Sequence, residues 1–307
     1  MRPESLYEIV TDDVDLDAPV LVHALGGFLD AGAARQLAVA HLLATYEHRT
    51  VAEFDIDALY DYRARRPRMV FDTDHYESID YPELALSEVK DQNGTGFLLL
   101  HGPEPDFGWR AFNAAVVQLV ERYGVRRSIG LNAIPWAAPH TRPIGVTAHA
   151  TDPSIVLGRS TFVGAIQVPG HMAGALEIAI GEAGHEAMGF AVHIPHYLAQ
   201  VEYPRAAVQL LREIAVAGDL ALDWSALEIA ADIADRDINE QVAANPENLE
   251  AVRALEAQYD AMARGAATAL QMADLVEGEE LPSGDEIAAQ LEDFLREMDE
   301  GKPEDRS

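Results

Sequence analysis

Nine polar side chains able to bind a ligand or move a proton follow four apolar, strand-like runs of the sequence. In open α/β sheets, ligands bind beyond the carboxyl ends of the strands, so residues that follow parallel strands meet at one edge. We therefore predict a single pocket that combines carboxylates, imidazoles and an arginine. Its candidate residues are Asp30, His101, Glu104, Asn132, His140, Arg142, His193, His196 and Tyr197.

The chemistry of such a pocket would be acid–base chemistry on a small molecule. Glu104, held between two prolines, or His196 would act as the base, and Arg142 would bind an anionic group with its guanidinium fork. Each residue type also has a structural interpretation. Asp30 caps a helix, Glu104 pairs with Arg110, or Arg142 pairs with an acid inside the fold. The residue types leave both interpretations open.

The sequence lacks the common motifs of metal and cofactor enzymes. It contains no cysteine and no G-x-G-x-x-G, G-x-x-x-x-G-K-[ST] or G-x-S-x-G motif. The pair His193-x-x-His196 is not an i, i+4 pair on a helix, and a catalytic zinc needs three protein ligands. We therefore expect no metal and no cofactor. The absence of a nucleophile motif favours a protein that is not an enzyme, without deciding the question.

Apolar runs and helical patterns alternate through residues 1–222, which is typical of an α/β domain. The alternation predicts a mostly parallel sheet that is covered by helices on both faces. Asp30 and Asp106 stand where they would cap the helices that follow them. The predicted strands lie at 19–25, 51–54, 69–71, 84–89, 96–101, 128–131, 144–148 and 187–194.

Two further regions follow this core. Residues 223–263 carry two apolar stripes at helical spacing, which predicts an αα-hairpin with a surface for a partner or for a second copy. Residues 264–307 are an acidic tail, in which a capping box at Ser283 and Glu286 opens a predicted docking helix at 283–299. The candidate partner or oligomer surface consists of Trp224, Leu227, Ile238, Leu249, Val252 and Tyr259.

The charge of the chain restricts its partners. The 307 residues include 52 acidic and 22 basic side chains, a formal net charge of −30. Such a charge argues against nucleic acids and against anionic membrane surfaces, because both require a basic face. Its general interpretation is solubility through self-repulsion. Its specific interpretation is a surface for a basic partner, since residues 223–307 hold 23 acidic and six basic residues. With no apolar signal core and no membrane-length apolar stretch, we expect a cytoplasmic protein.

Four segments resemble the proteasome assembly chaperone 2 family, in its actinobacterial branch. They are ALGGFLDAG at 24–32, LLLHGPEPDFGWRAF at 98–112, PHTRPIGVTAHATDP at 139–153 and IPHYLAQVEYPRAAVQLL at 194–211. The resemblance implies a three-layer α/β/α core related to phosphorylase/hydrolase-like folds, a C-terminal helical appendage and self-association, plausibly as trimers. It also implies kinship to chaperones that escort proteasome α-subunits, and it supplies no catalytic residues.

Two functions from different classes are consistent with these observations. The first is a non-enzymatic interaction or assembly factor that forms homo-oligomers and binds a protein partner. The alternative is a small-molecule-binding protein or a hydrolase/phosphorylase-like enzyme that uses the pocket at the strand ends. The alternative requires Glu104, His140, Arg142 and His196 to face one cavity, so the arrangement of these four residues discriminates between the two functions.

Overall fold

The computed structural model describes residues 2–276 apart from 15, 28 and 163, and side chains as far as Arg264. This chain divides into two compact units with a boundary after Leu255. The predicted docking helix at 283–299 lies outside the described residues.

Ten strands and seven α-helices make up the described chain. The strands are β1 (Tyr7–Ile9), β2 (Val20–Gly26), β3 (His48–Phe54), β4 (Met69–Asp72), β5 (His75–Ile79), β6 (Ala85–Lys90), β7 (Gly96–Pro103), β8 (Arg127–Trp136), β9 (Val146–Ala150) and β10 (Ala187–Pro195). The helices are α1 (Ala34–Thr45), α2 (Ile56–Leu59), α3 (Trp109–Arg122), α4 (Met172–Glu182), α5 (Pro204–Gly218), α6 (Ser225–Ala244) and α7 (Pro246–Val276).

Eight of the strands form one mixed sheet in the order β1-β3-β6-β7-β2-β8-β10-β9. The four inner strands β7, β2, β8 and β10 are parallel, whereas β1, β3, β6 and β9 pair antiparallel at the two sides. The prediction of a mostly parallel sheet is therefore wrong outside the centre. The connection between β6 and β7 is too short for the crossover that a parallel pair requires.

Helices cover both faces of the sheet, which gives the three-layer α/β/α core that the family resemblance implied. Helices α1 and α5 pack on one face, and α3 and α4 pack on the other. Each face has its own buried apolar cluster, with Phe190 and Leu210 in one and Leu98 and Phe112 in the other. Because the parallel strands are buried on both faces, their sequences are continuous apolar runs.

The two predicted aspartate caps have different outcomes. The Asp30 carboxylate accepts hydrogen bonds from the backbone N–H groups of Arg35 (2.8 Å) and Gln36 (3.0 Å), and it pairs with the Arg35 guanidinium. It therefore caps the first turn of α1, but from four residues before the helix, because Ala33 occupies the position directly before Ala34. The prediction for Asp106 is wrong: its carboxylate accepts from the Asp61 N–H and pairs with Arg65 at 2.6 Å.

Strands β4 and β5 form a separate two-stranded hairpin, which we call the β4–β5 arm. The predicted strand at 69–71 exists but lies in this arm, outside the main sheet. All four residues of β4 are exposed, and so are four of the five residues of β5. An isolated hairpin with both faces in water is marginally stable at best, so the arm is a surface that another element would stabilise.

Helices α6 and α7 occupy the predicted hairpin, and α6 packs on α5. Trp224, Leu227 and Ile238 are partly buried against the core that α1 and α5 cover, and Val252 is buried. The prediction of these side chains as an exposed partner surface is corrected accordingly: their stripe covers the chain's own core. The exposed apolar side chains of α6 are Ile229 and Ile233. Leu249 is half-buried, and Tyr259 belongs to the second unit.

Candidate functional site

The nine predicted site residues do not line one pocket. Glu104 and Asn132 line a cavity of about 560 Å³ under α4, which we call the α4 cavity. His140 and Arg142 line a cleft of about 480 Å³ against α5 and α6, which we call the His140 cleft. These four residues therefore do not converge. The segment after β7 places Glu104 beside α4, whereas the segment after β8 places His140 and Arg142 beside α5 and α6.

The other predicted residues lie elsewhere. His196 and Tyr197 line a third opening of about 390 Å³ between the end of β10 and helices α6 and α7, the α7 groove. His101 follows Phe97 and Leu99 in alternation on β7 and faces α1, and its ring contacts the Ser87 hydroxyl at 3.0 Å. Burial lowers the pKa of His101, which disfavours its charged form.

His140 and Tyr197 form a structural connection between loops and α6. The His140 N–H donates to the Tyr197 hydroxyl oxygen at 2.9 Å, and the same oxygen lies 2.6 Å from His140 Nδ1. His140 Nε2 lies 3.2 Å from Asn239 Oδ1 on α6. These contacts are satisfied together when Nε2 carries the proton and Tyr197 donates to Nδ1. Both residues therefore fasten α6 to the strand edge.

The α4 cavity brings together five titratable side chains, which are Arg35, Glu104, His149, His171 and Glu177. Its floor includes Asn132, Ala191 and Thr147, which stand side by side on β8, β10 and β9. Trp136 lines the same cavity and stacks on His193 with ring centroids 4.1 Å apart. His193 Nε2 in turn lies 2.8 Å from the Thr147 hydroxyl. His193 therefore supports the floor from one side.

Glu104 stands at the N-terminus of α4. The Met172 N–H donates to Glu104 Oε2 at 3.0 Å, and the Glu104 N–H donates to the Gly26 carbonyl at 2.6 Å. A Cβ at position 27 would lie 2.7 Å from Oε2, so Gly27 makes room for this carboxylate. The positive end of a helix dipole stabilises an anion. Backbone hydrogen bonds and Gly27 thus hold the Glu104 side chain on the cavity wall.

Two histidines complete the polar part of the cavity. His171 caps α4, because its Nδ1 accepts the Gly174 N–H at 3.2 Å, and this leaves the proton on Nε2. Burial lowers the pKa of His171, while the carboxylates of Glu104 and Glu177 act in the opposite direction. His149 Nδ1 forms a 2.7 Å contact with Glu177 Oε2. His149, His171 and Glu177 were not among the site residues predicted from the sequence.

His23 lies beneath this cluster, and neither of its ring nitrogens has a hydrogen-bond partner among the described residues. It is aligned across the sheet with Gly130, Gly189 and His149 on β8, β10 and β9. Added Cβ atoms would lie 3.0 Å from His23 Nε2 at Gly130 and 2.8 Å from His149 Nε2 at Gly189, so both rings occupy space that glycine leaves open. Burial, together with His149 and His171, lowers the pKa of His23 to about 3.

The residues that sequence reasoning missed had one readable signal. The run Val146–Ala150 alternates apolar and polar residues, so Thr147 and His149 share one face of a strand. Nothing in the sequence pairs His149 with Gly189 or Glu177, because that contact depends on sheet order. Among the described residues, no group of three or more His, Asp or Glu side chains is placed to hold a metal ion.

Comparisons with known proteins identify a family model and several solved structures that are similar to this chain. The sequence model of the PAC2 family matches residues 24–242. No curated protein matches. No helix in the described part of the chain has the length and apolar character needed to cross a membrane.

Solved structures of similar fold include two from Mycobacterium tuberculosis. A protein of unknown function is 46% identical over 86% of this chain and 92% of that one, with a TM-score of 0.83. A proteasome-assembly chaperone homologue is 29% identical over 76% of this chain and 99% of that one, with a TM-score of 0.70. The archaeal proteasome activator PbaB of Pyrococcus furiosus is 16% identical over 77% and 98%, with a TM-score of 0.56, and shares the fold.

Proposed function

The chain belongs to the PAC2 family, and on that premise we propose that it is a non-enzymatic assembly factor that binds protein chains, including further copies of itself. The similar proteasome-assembly chaperone homologue supports a chaperone-like role. The enzymatic alternative required Glu104, His140, Arg142 and His196 in one cavity. They line three different openings, which argues against that alternative.

The β4–β5 arm is the observation that carries the proposal. Phe71 and Tyr76 pack on each other at 5.1 Å between ring centroids, yet they remain 58% and 68% exposed. Met69, Val70 and Tyr81 are exposed beside them. Aromatic residues and methionine are enriched in the cores of protein interfaces. The composition of the arm is therefore that of a binding surface.

The charge of the arm points to an acidic partner surface. Four arginines lie within residues 63–68, in a chain whose net charge is −30. Arg65 pairs with Asp106 and lies over the Tyr60 ring. Arg63, Arg66 and Arg68 make no ion pair with any residue that the structure describes. A second copy of the chain offers the acidic surface that would complement these arginines, and we propose a homo-oligomer, with a trimer as the expected form.

Sedimentation velocity of paired variants tests self-association through the arm. We expect the wild-type chain to sediment as an oligomer and the F71D/Y76D variant as a monomer, because two charges in an apolar interface remain uncompensated. The matched control is I229D/I233D, which places the same charges on exposed apolar positions of α6. A monomeric wild-type chain, or dissociation by the control variant alone, would contradict the proposal.

A second experiment tests the assembly role. Purified proteasome α-subunits from the same organism are mixed with the chain and analysed by size-exclusion chromatography with light scattering. We expect a complex with the wild-type chain. A wild-type chain that forms no complex would refute the proteasome-directed form of the proposal and leave self-association to be judged by sedimentation.

A further inference from the structure

We propose that the α4 cavity is a binding site for a small molecule with an apolar body and a cationic nitrogen head, which Glu104 and Asn132 recognise. An assembly role through the β4–β5 arm does not use this cavity. The inference therefore adds a ligand site to the chain and stands independently of the proposed function.

The size and walls of the cavity fit the apolar body. Its volume of about 560 Å³ lies within the roughly 300–1,000 Å³ of small-molecule sites. Most of its lining is apolar, and Phe162, Ile166, Val168 and Ile178 are exposed around it. Trp136 adds an aromatic wall that is held in place by His193. A ligand would cover this apolar surface, and the removal of apolar surface from water favours binding.

The charge of the cavity selects the head group. The cavity wall carries two carboxylates, Glu104 and Glu177, and one guanidinium, Arg35. Arg35 pairs with Asp30 and Glu177 contacts His149, whereas Glu104 forms no ion pair with any described residue. Within the described residues, its Oε2 accepts a hydrogen bond from the Met172 N–H alone. The cavity therefore presents one carboxylate that has no ion-pair partner among the described residues, and a ligand cation would pair with it through a charge-assisted hydrogen bond.

Two neutral groups beside Glu104 would orient the head. The side-chain amide of Asn132 makes no hydrogen bond to any residue within the described ranges, and it offers both a donor and an acceptor. His171 has its Nδ1 occupied by the Gly174 N–H, so its Nε2–H remains as a donor. Burial lowers the pKa of His171, which disfavours the charged ring that would pair with Glu104.

Anionic ligands are disfavoured by the same arrangement. The one guanidinium on the wall, Arg35, is held by Asp30 at 3.3 Å, and the N-terminal N–H of Met172 on α4 is taken by Glu104. A phosphate or carboxylate would thus meet the Glu104 charge and find no free cation among the lining residues. The site discriminates between head groups by charge.

Isothermal titration calorimetry with three probes of the same body tests the proposal. The probes are 4-phenylbutylamine, 4-phenylbutanol and 4-phenylbutyrate, with cationic, neutral and anionic heads. We expect one amine per chain, bound about tenfold more tightly than the alcohol because a charge-assisted hydrogen bond is the stronger kind. The carboxylate should bind more weakly than the alcohol.

Glu104→Gln should reduce the amine's affinity to that of the alcohol, because it removes the charge and keeps an oxygen for the Met172 N–H. The control Glu121→Gln removes an equal charge from α3, outside the cavity. If Glu104→Gln fails to fold, Asn132→Asp adds a carboxylate at the head and should increase the preference for the amine. Absence of amine binding at millimolar concentration, equal affinities for the three probes, or a preference that these substitutions leave unchanged would overturn the proposal.

Discussion

At the scale of single residues, the polar groups of this chain divide into those that hold the fold and those that face a cavity. Asp30 and the pair His140 and Tyr197 have their hydrogen bonds satisfied within the protein. Glu104 and Asn132 keep hydrogen-bonding capacity directed at the α4 cavity. Residue type does not distinguish these cases, since both groups contain a carboxylate.

Replacement of Tyr197 by phenylalanine should destabilise the chain. The substitution leaves the His140 N–H and Nδ1 without their partner, and an unsatisfied buried polar group costs about 1–3 kcal/mol. Urea denaturation monitored by circular dichroism gives the free energy of unfolding. Tyr76→Phe on the exposed arm is the control and should change it little; equal effects of the two substitutions would contradict the structural role of Tyr197.

His23 predicts a pH dependence of stability. Its folded pKa of about 3 lies below the unfolded value of 6.5, so between these values the unfolded chain binds a proton that the folded chain does not. The contribution of His23 to stability is therefore complete above pH 6.5 and is lost as the pH falls towards 3. His23→Phe should flatten this part of the pH profile, and a profile that stays as steep as wild type would contradict the assignment.

At the scale of elements, the order of strands decides which side chains meet. The row His23, Gly130, Gly189 and His149 crosses four neighbouring strands that come from widely separated parts of the sequence. Two glycines in the middle of the row leave room for two imidazoles. The same sheet order places the floor of the α4 cavity next to this row.

Gly189→Ala should destabilise the β9–β10 pair. The added methyl group would lie 2.8 Å from His149 Nε2, which forces the ring away from Glu177 at a cost of about 1–3 kcal/mol. A double-mutant cycle with His149→Ala measures the clash, because the methyl group has space once the ring is removed. We expect the double variant to be more stable than additivity predicts; additive effects would exclude this contact as the cause.

At the scale of the whole molecule, the arginines near the β4–β5 arm contrast with the negative net charge of the chain. The chain carries −30 overall, while three arginines near the arm lack ion pairs within the described chain. Salt screens exposed charges over about 8–10 Å at physiological ionic strength. An interface that brings these arginines to an acidic surface therefore depends on salt.

Self-association should weaken as salt is raised. We expect the sedimentation coefficient at a fixed chain concentration to fall between low and high sodium chloride, and we expect R66A/R68A to reduce both the association and its salt dependence. Apolar burial alone would give an association that is flat or stronger at high salt. That result, with an unaffected R66A/R68A variant, would assign the interface to the aromatic residues only.

The sequence alone determined the layers of the fold and the position of the helices. Continuous apolar runs such as the one in β2 mark strands buried on both faces, and helical spacing marks α6 and α7. These signals lie within one stretch of sequence, so they can be recognised without knowing which other elements pack against that stretch. The segments that resemble the PAC2 family were also readable, and the family match confirms them.

Only the tertiary structure decided which polar residues share a site. Glu104, His149 and His171 meet because β7, β9 and α4 are brought together by strand order and by an antiparallel edge that the alternation of elements does not encode. The stripe of Trp224, Leu227 and Ile238 turned inward for a related reason: an apolar stripe specifies burial but not what covers it. Contacts between distant segments depend on topology, which no single stretch of sequence carries.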